Sequence, residues 1–335
     1  MSAPAINIIG GDQAIVRFLP ESTDLGVYPF SSMPNPSTGP GGTPQLMGIT
    51  RVPQKDRQRS NKKLFSAGSP FGIANVRGVR AYMVNVEINI ANLAVLAYCV
   101  RNGYNNSVQT TGYKGLPDLC LFIDYVDTYG EGNGYSWMIR YAKCDTGSIS
   151  IQMNGPEITA QLRFIGIAEY PNGSPLSMTM AQLDTAIRTF GEALTYHHLV
   201  SLTVGSDLRP ILSGINYQFN NNVHGSQAAR PSSGSDARLW NTHYSLKPGN
   251  LNASADLSLD SDIPAALATS AFTSDAWGDI IATINNYGTG GAKQQVITLT
   301  DALLGTDSAG GGDSGQDIPF SANVTGDALV IANTY

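Results

Sequence analysis

His197 and His198, with Glu192 just upstream, come nearest in this chain to a metal-binding or acid–base constellation. A histidine pair holds a metal when the two stand four apart on a helix, or on facing strands with a third ligand. Adjacent histidines on an extended segment point to opposite faces, so a structural role is expected here. His224, in a loop, and His243, in a strand, are isolated and are read the same way. Asp307, Gly310, Gly311, Gly312, Asp313 and Asp317 have the composition of Ca²⁺-binding turns but no nonapeptide repeat, so a flexible loop is expected. Gly130-Glu131-Gly132-Asn133-Gly134 is glycine-rich enough to cradle a phosphate, yet a strand follows it where a helix is required. No nucleophile elbow and no Cys/His pairing appears. The expectation is a protein without catalytic residues, cofactor or metal.

Composition narrows the alternatives. Only 14% of the 335 residues are charged, and 36 are glycine, a balance that favours many short strands. Cys99, Cys120 and Cys144 are odd in number and lack metal spacing, as free thiols in a reducing compartment would. The longest clean apolar run, Leu93–Val100, is far too short for a membrane-spanning helix. No basic segment followed by an apolar one opens the chain, so no signal peptide is expected. The last 85 residues hold ten Asp and one base, Lys293. Such an acidic face repels polyanions. The basic run Arg51, Lys55, Arg57, Arg59, Lys62, Lys63 is read as a solvated loop or as docking on an acidic neighbour, with a nucleic-acid patch as the alternative.

The elements that must position these residues read as follows. Residues 1–75 form an extended arm, broken by the Pro/Gly-rich stretch Ser31–Gln45. Val84, Val86, Ile88 and Ile90 alternate with polar residues as a half-buried strand does. Leu116–Val126 and Tyr135–Tyr141 flank Gly130–Gly134 as a hairpin, and Ser148–Met153 and Ile158–Ile167 flank Asn154-Gly155 as another. Ala181–Leu194 has a helical stripe, and Leu199–Val204 is a strand. Then come a strand at Ile211–Phe219 and a polar loop at Asn220–Arg238. A hairpin of Trp240–Leu246 with Leu251–Leu259 turns at Pro248-Gly249. A helix capped by Ser274 runs to Asn285. Val296–Leu303 is a strand, Gly305–Gln316 a loop, and Ile318–Tyr335 a last strand or hairpin.

Four short segments recur in order at offsets of 92 to 97. Ile123-Asp124-Tyr125 returns as Ile215-Asn216-Tyr217, Met153–Ala160 as Leu246–Ala253, Leu183, Ile187 and Phe190 as Trp277, Ile281 and Ile284, and Leu202-Thr203 as Leu299-Thr300. One unit built twice is expected, with domains at 76–205 and 206–335. The fold class is mainly β (α+β): two tandem antiparallel barrels or sandwiches, each with one flanking helix.

The run Gly214–Asn222, the long loop after it, Leu246-Lys247-Pro248-Gly249, the alternating strand Ala253–Leu259 and a helix together resemble the layout of phage tail tube (major tail) proteins. The resemblance implies a self-assembling virion protein. Rings stack into a hollow tail through which DNA passes during ejection, and two tube domains per chain imply homotrimeric rings. It also implies partners in the tape measure protein and other tail proteins, no membrane, and assembly in the host cytoplasm. A tube must let DNA slide, so its lumen should be neutral or acidic. The polar stripe Asn252, Ser254, Asp256, Ser258, Asp260 is the expected lumen lining, with Leu251, Ala253, Ala255, Leu257 and Leu259 packed beneath the second helix. The arm and the 220–238 loop should make contacts between subunits or rings. A baseplate ring or decoration protein is the alternative, and a carbohydrate-binding β-sandwich a further one.

Overall fold

The structure, a computed structural model, describes residues 14–21, 44–47, 49–59, 62–65, 72–76, 80–89, 94–100, 116, 118–125, 135–152, 157–171, 194–205, 207–209, 211–229, 239–246, 252–259, 276–286, 293–309 and 320–334. These are almost entirely antiparallel strands. The first ten are β1 (Ala14–Pro20), β2 (Gln45–Leu46), β3 (Ile49–Arg59), β4 (Lys62–Phe65), β5 (Gly72–Val76), β6 (Arg80–Asn89), β7 (Leu119–Tyr125), β8 (Tyr135–Gln152), β9 (Thr159–Gly166) and β10 (Ala168–Pro171). The second ten are β11 (Leu199–Val204), β12 (Asp207–Arg209), β13 (Ile211–Asn220), β14 (Val223–Ala229), β15 (Leu239–Leu246), β16 (Asn252–Leu259), β17 (Ala276–Asn286), β18 (Lys293–Ala309), β19 (Phe320–Gly326) and β20 (Ala328–Thr334). Among the described residues, one turn-and-a-half helix, α1 (Ala94–Cys99), lies against β8 and β20.

The two sets of ten pair by the same plan. In the first, β1 pairs β2 and β7, β7 pairs β8, and β8 pairs both β9 and β10, while β9 pairs β6 and β6 pairs β3. In the second, β11 pairs β12 and β17, β17 pairs β18, and β18 pairs both β19 and β20, while β19 pairs β16 and β16 pairs β13. Each plan also inserts a separate hairpin at the same point, β4–β5 and β14–β15. One contact, β8 with β13, joins the sets into a sixteen-stranded sheet. It yields an inner row of eight strands, β3-β6-β9-β8-β13-β16-β19-β18, and a second row built on β7 and β17.

The equivalence holds at single-residue level, at a spacing of 160. Tyr141 and Asp301 both take left-handed backbone angles, with φ of 53° and 47°. One extra residue bulges from each long strand, Asp145 in β8 and Gly305 in β18. Gly166 lies against Ile139 and Gly326 against Leu299, so closely that a Cβ would sit 2.3 Å and 2.6 Å from those side chains. The N–H groups of Ile167 and Asp327 donate to the carbonyls of Arg140 and Thr300, at 3.1 Å and 3.0 Å. The spacing of about 95 is therefore corrected. Ile123 lies on β7 in the second row and Ile215 on β13 in the inner row. Alternating strands share short patterns by periodicity alone, which is what the earlier matches picked up.

Four further expectations are corrected. Ser274–Asn285 is not helical: Ala276–Asn286 is β17. Ile280, Ala282 and Ile284 are buried at period two, and a bulge at Gly278, φ 71°, brings Trp277 inward three residues before Ile280. That phase shift imitates helical spacing, while the β-branched residues favour the strand. Among the described residues, the two arms expected to pair across Pro248-Gly249 do not: β15 pairs β14, and β16 pairs β13 and β19. The loop expected at 220–238 contains β14, and β18 continues to Ala309 through the start of the Gly/Asp stretch. Of residues 1–75, read as an arm, Ala14–Pro20 and Ile49–Arg59 are strands of the sheet. The helix read at 181–194 lies outside the described residues apart from buried Leu194. The mainly β, antiparallel class is as expected, and so are the β7–β8 and β8–β9 pairings and the alternation of Val84, Val86 and Ile88.

The largest core cluster among the described residues joins the two rows. Val84, Ile88, Ile149, Ile151, Phe164, Tyr217 and Ala255 from the inner row pack with Val16, Phe18, Ile123, Ile139, Ile280, Ile297 and Ile331 from the second. Gly166→Ala and Gly326→Ala should each destabilise by about 1–3 kcal/mol, because Ile139 and Leu299 must move aside. Lower urea midpoints of similar size for the two variants would be the measured sign of equivalent sites.

Candidate functional site

The inner row has one core face and one wet face, and the register lines polar residues into rows across strands far apart in sequence. Asn89, Thr159, Ser150, Asn216, Asp256, Asn323 and Thr306 follow one another across β6, β9, β8, β13, β16, β19 and β18. Glu87, Gln161, Ser148, Gln218, Ser254 and Thr325 form the adjacent row. Gln152, Gly214, Ser258, Ser321 and Ser308 form a third. Glu87, Gln161, Ser148, Gln218 and Ser254 of the second row, with Asn216 of the first, line an open concavity of about 880 Å³ that Gln54, Asn85 and Arg163 also border.

The stripe expected to line a lumen meets this face at Asp256, which is exposed, and Ser254, which is half-buried; Ala255 between them is fully buried. Asn252 and Ser258 occupy β16 in the same alternation, and Asp260 lies outside the described residues. Gln218 Nε2 donates to Asp256 at 3.2 Å and Asn323 Nδ2 at 2.6 Å, so the carboxylate is tied to both neighbouring strands. The sequence stripe is thus one strand's share of a wider surface. Its other members, Ser148, Ser150, Asn216, Gln218 and Asn323, went unread because strand partners are not visible in a local pattern. The apolar alternates of β16 were expected beneath a helix. Ala255 instead joins the strand-on-strand core.

The edges of the inner row are its second feature. Among the described residues, β3 pairs β6 alone, so one side of β3 is open. At the other end, β17 accompanies β18 only as far as Leu303, and residues 304–309 pair β19 on one side only. The corresponding part of β8, Thr146–Gln152, is filled on that side by β13. Phe219 closes this internal seam by lying on Gly147, where an added Cβ would stand 2.3 Å from the ring. Asn221 Nδ2 donates to the carbonyls of Cys99 (2.8 Å) and Cys144 (3.0 Å), and Val223 packs with Tyr141 and Ile167.

The basic run is partly docked. Lys55 and Arg57 both bind the buried Glu169 carboxylate, Arg57 Nε at 2.9 Å. The Lys55 ammonium sits 3.1 Å from the Trp137 ring centre and the Arg57 guanidinium 5.8 Å from that of Tyr82. Arg57 keeps about a third of its side chain exposed (35%). The docking site lies in the first repeat, not on the acidic C-terminal segment.

The histidines lie on separate elements, and the cysteines are buried thiols. Tyr196–His198 is a short 3₁₀ turn in which the Thr195 N–H donates to His198 Nδ1 at 3.0 Å. His224 and His243 lie on β14 and β15. Among the described residues, no three His, Cys, Asp or Glu side chains converge as metal ligands would. The three cysteines are free and buried, and burial pushes the Cys120 and Cys144 thiols well above their usual range. The Gly130–Gly134 segment and residues 310–317 lie outside the described residues.

Searches against family models and curated proteins find no match to this chain.

Tyr217 is fully buried in the seam strand, and its hydroxyl has no hydrogen-bond partner among the described residues. Burial raises its pKa above the usual tyrosine range, so folding is linked to its protonated form. A group raised on folding stabilises fully below its unfolded pKa, and that contribution falls as pH climbs past it. Tyr217→Phe should therefore keep or raise stability near neutral pH, by up to about 1 kcal/mol. Above pH 10 its stability should fall less steeply than wild type, by about 1.4 kcal/mol per pH unit. Paired urea titrations across pH 8–11 measure both.

Proposed function

We propose that this chain is a structural subunit of a hollow tube, the tail tube protein of a long-tailed phage. Each set of ten strands acts as one tube domain, and three chains form a pseudo-sixfold ring. The observation that carries this reading is the seam between β8 and β13. One chain contains two copies of a four-stranded segment joined edge to edge. The outer edges, β3 and the end of β18, are the halves of that same seam left open. A repeated unit whose last edge matches its own first edge propagates until it closes, and closure removes exposed edges. Three chains supply 24 inner strands. At about 4.8 Å per strand the backbone circle is at least about 37 Å across, wider with strand tilt, which leaves room for a nucleic-acid duplex inside.

The wet face fits the inside of such a ring. It is concave and built of amides and hydroxyls, and its described charged side chains are few: Asp56, Glu87, Arg163 and Asp256. A duplex threading past it meets little that would hold phosphates. The tape measure protein and neighbouring tail proteins would be the further partners, in a virion tail assembled in the host cytoplasm.

Purified protein at rising concentration should give three-chain rings by native mass measurement and stacked hollow tubes by negative-stain microscopy. A monomer at every concentration would overturn the reading. Asp256→Lys should leave folding and tube formation intact, because Asp256 lies outside the core. Tails carrying it should eject DNA more slowly in low salt and recover as salt rises, since fixed lumenal cations bind passing phosphates. Ejection at the wild-type rate in low salt would remove Asp256 from the lumen.

A further inference from the structure

We infer that the ring closes in one register, set by the repeat, and that charge pairs between copies replace the apolar contacts of the internal seam. This inference rests on the ring reading above. The register follows from two chains of paired residues. Gly166 lies opposite Tyr82, and Tyr82 opposite Arg57. Gly326, its counterpart, lies opposite Ala253, and Ala253 opposite Phe219. Arg57 therefore holds the place of Phe219. Phe219 pairs with Gly147, whose counterpart at the spacing of 160 is Asp307. Closing the ring as the seam is closed sets Asp307 of one copy opposite Arg57 of the next. The flanking pairs are Thr306 with Gln58 and Ser308 with Asp56.

The substitutions at this register change the chemistry in one direction. Inside the chain, a phenylalanine covers a glycine. Between chains, an aspartate meets an arginine that Glu169 already positions and that remains partly exposed. The inserted hairpin repeats the pattern. β14 lies against β8 and β15 against β6, reaching back over the preceding repeat, where Val223 meets Tyr141 and Ile167. The equivalent strand, β4, opens with Lys62-Lys63. The counterparts of Tyr141 and Ile167 are Asp301 and Asp327, both exposed. Reaching back in the same way, β4 brings its basic start, with one lysine on each face of the strand, towards two aspartates of the neighbouring copy.

The contrast has a physical reason. The core face of the internal seam forms with the fold and stays dry, so apolar contacts suit it. The outer edges are wet until assembly, and an apolar open strand there would pair indiscriminately. Opposite charges keep the free subunit soluble and steer the encounter, while the repeat itself sets the register. The acidic C-terminal segment and the basic run are the two halves of this contact.

Cysteine pairing tests the register, and charge exchange tests the mechanism. Thr306→Cys with Gln58→Cys should cross-link copies into closed covalent trimers on mild oxidation. Thr306→Cys with Arg57→Cys, one residue out of register and on the opposite face, should not. Asp327→Lys should weaken ring formation roughly tenfold in low salt. Adding Lys62→Glu and Lys63→Glu should restore it, and ring stability of the wild type should fall as salt rises. Unchanged melting of the exposed-site variants separates lost assembly from lost folding. Rings that form without the predicted cross-link, or with the slipped one, overturn the register and leave the ring reading standing. Rings indifferent to both salt and charge exchange overturn the electrostatic closure. A protein that forms no rings overturns both readings.

Discussion

Two long strands govern the architecture, because each belongs to both rows at once. An ordinary strand of 17 or 18 residues would overrun any domain of this size. β8 and β18 are usable because each is bent at two adjoining points. A residue in the left-handed region, Tyr141 or Asp301, turns the backbone, and a bulge four residues on, at Asp145 or Gly305, resets the register. Gly166 and Gly326 admit the crossing strand at the bend. The first half of each strand then builds the second row and the last half delivers an edge to the inner row. In β8 that edge is taken up by β13. In β18 the same edge arrives with nothing left in the chain to take it up among the described residues.

The repeats differ in how they hold their second row. Arg17 clasps Asp124 through two hydrogen bonds of 2.6 Å and 2.9 Å, Arg140 clasps Glu21, and Lys143 meets Asp118 at 2.8 Å. These are buried or nearly buried pairs, whose Coulombic gain is largely cancelled by desolvation. Their value lies in specification. β1 and β2 are separated by residues 21–44, whereas β11 and β12 are separated by two residues. A strand tethered by a long connection can slip, and a bidentate guanidinium–carboxylate pair tolerates only one register. The second repeat holds β11 by a short connection and apolar residues such as Leu202 and Val204.

What the sequence revealed tracks where geometry is local. β6, β9 and β16 read correctly because each has a core face, a wet face and no bulge to disturb period two. β17 misread because Gly278 slips the phase and leaves Trp277, Ile281 and Ile284 at helical intervals. The duplication was sensed, but its spacing was not, since equivalent positions share backbone geometry and little else. Tyr141 corresponds to Asp301, Asp145 to Gly305, and Phe219 to Arg57. No residue-type comparison aligns such pairs. Position-by-position pairing does, since a bulge or a left-handed turn is required by the bend and not by the side chain. The polar stripe of β16 was legible for the same local reason, while its partners on β13 and β19 needed the register.

The distribution of side chains over the inner row then separates three environments that one sheet must serve. The face toward the core takes Ile149, Phe164 and Tyr217, where burial contributes most to stability. The concave face takes serine, threonine, asparagine and glutamine, groups that bond to one another across strands, as Gln218 and Asn323 do to Asp256. Such groups stay wet without presenting fixed charge of one sign. Charge is concentrated instead towards the ends of the row, Lys55 and Arg57 on β3 and Lys62 on β4 at one end, Asp307 on the open part of β18 and Asp301 and Asp327 beside its bend at the other. Uniform charge along the sheet would have made every seam equally ready to pair with every other. Confining it to the ends leaves the core face of the β8–β13 seam apolar, with Phe219 seated on Gly147; in the proposed ring it would also let one end of a chain meet only the opposite end of another.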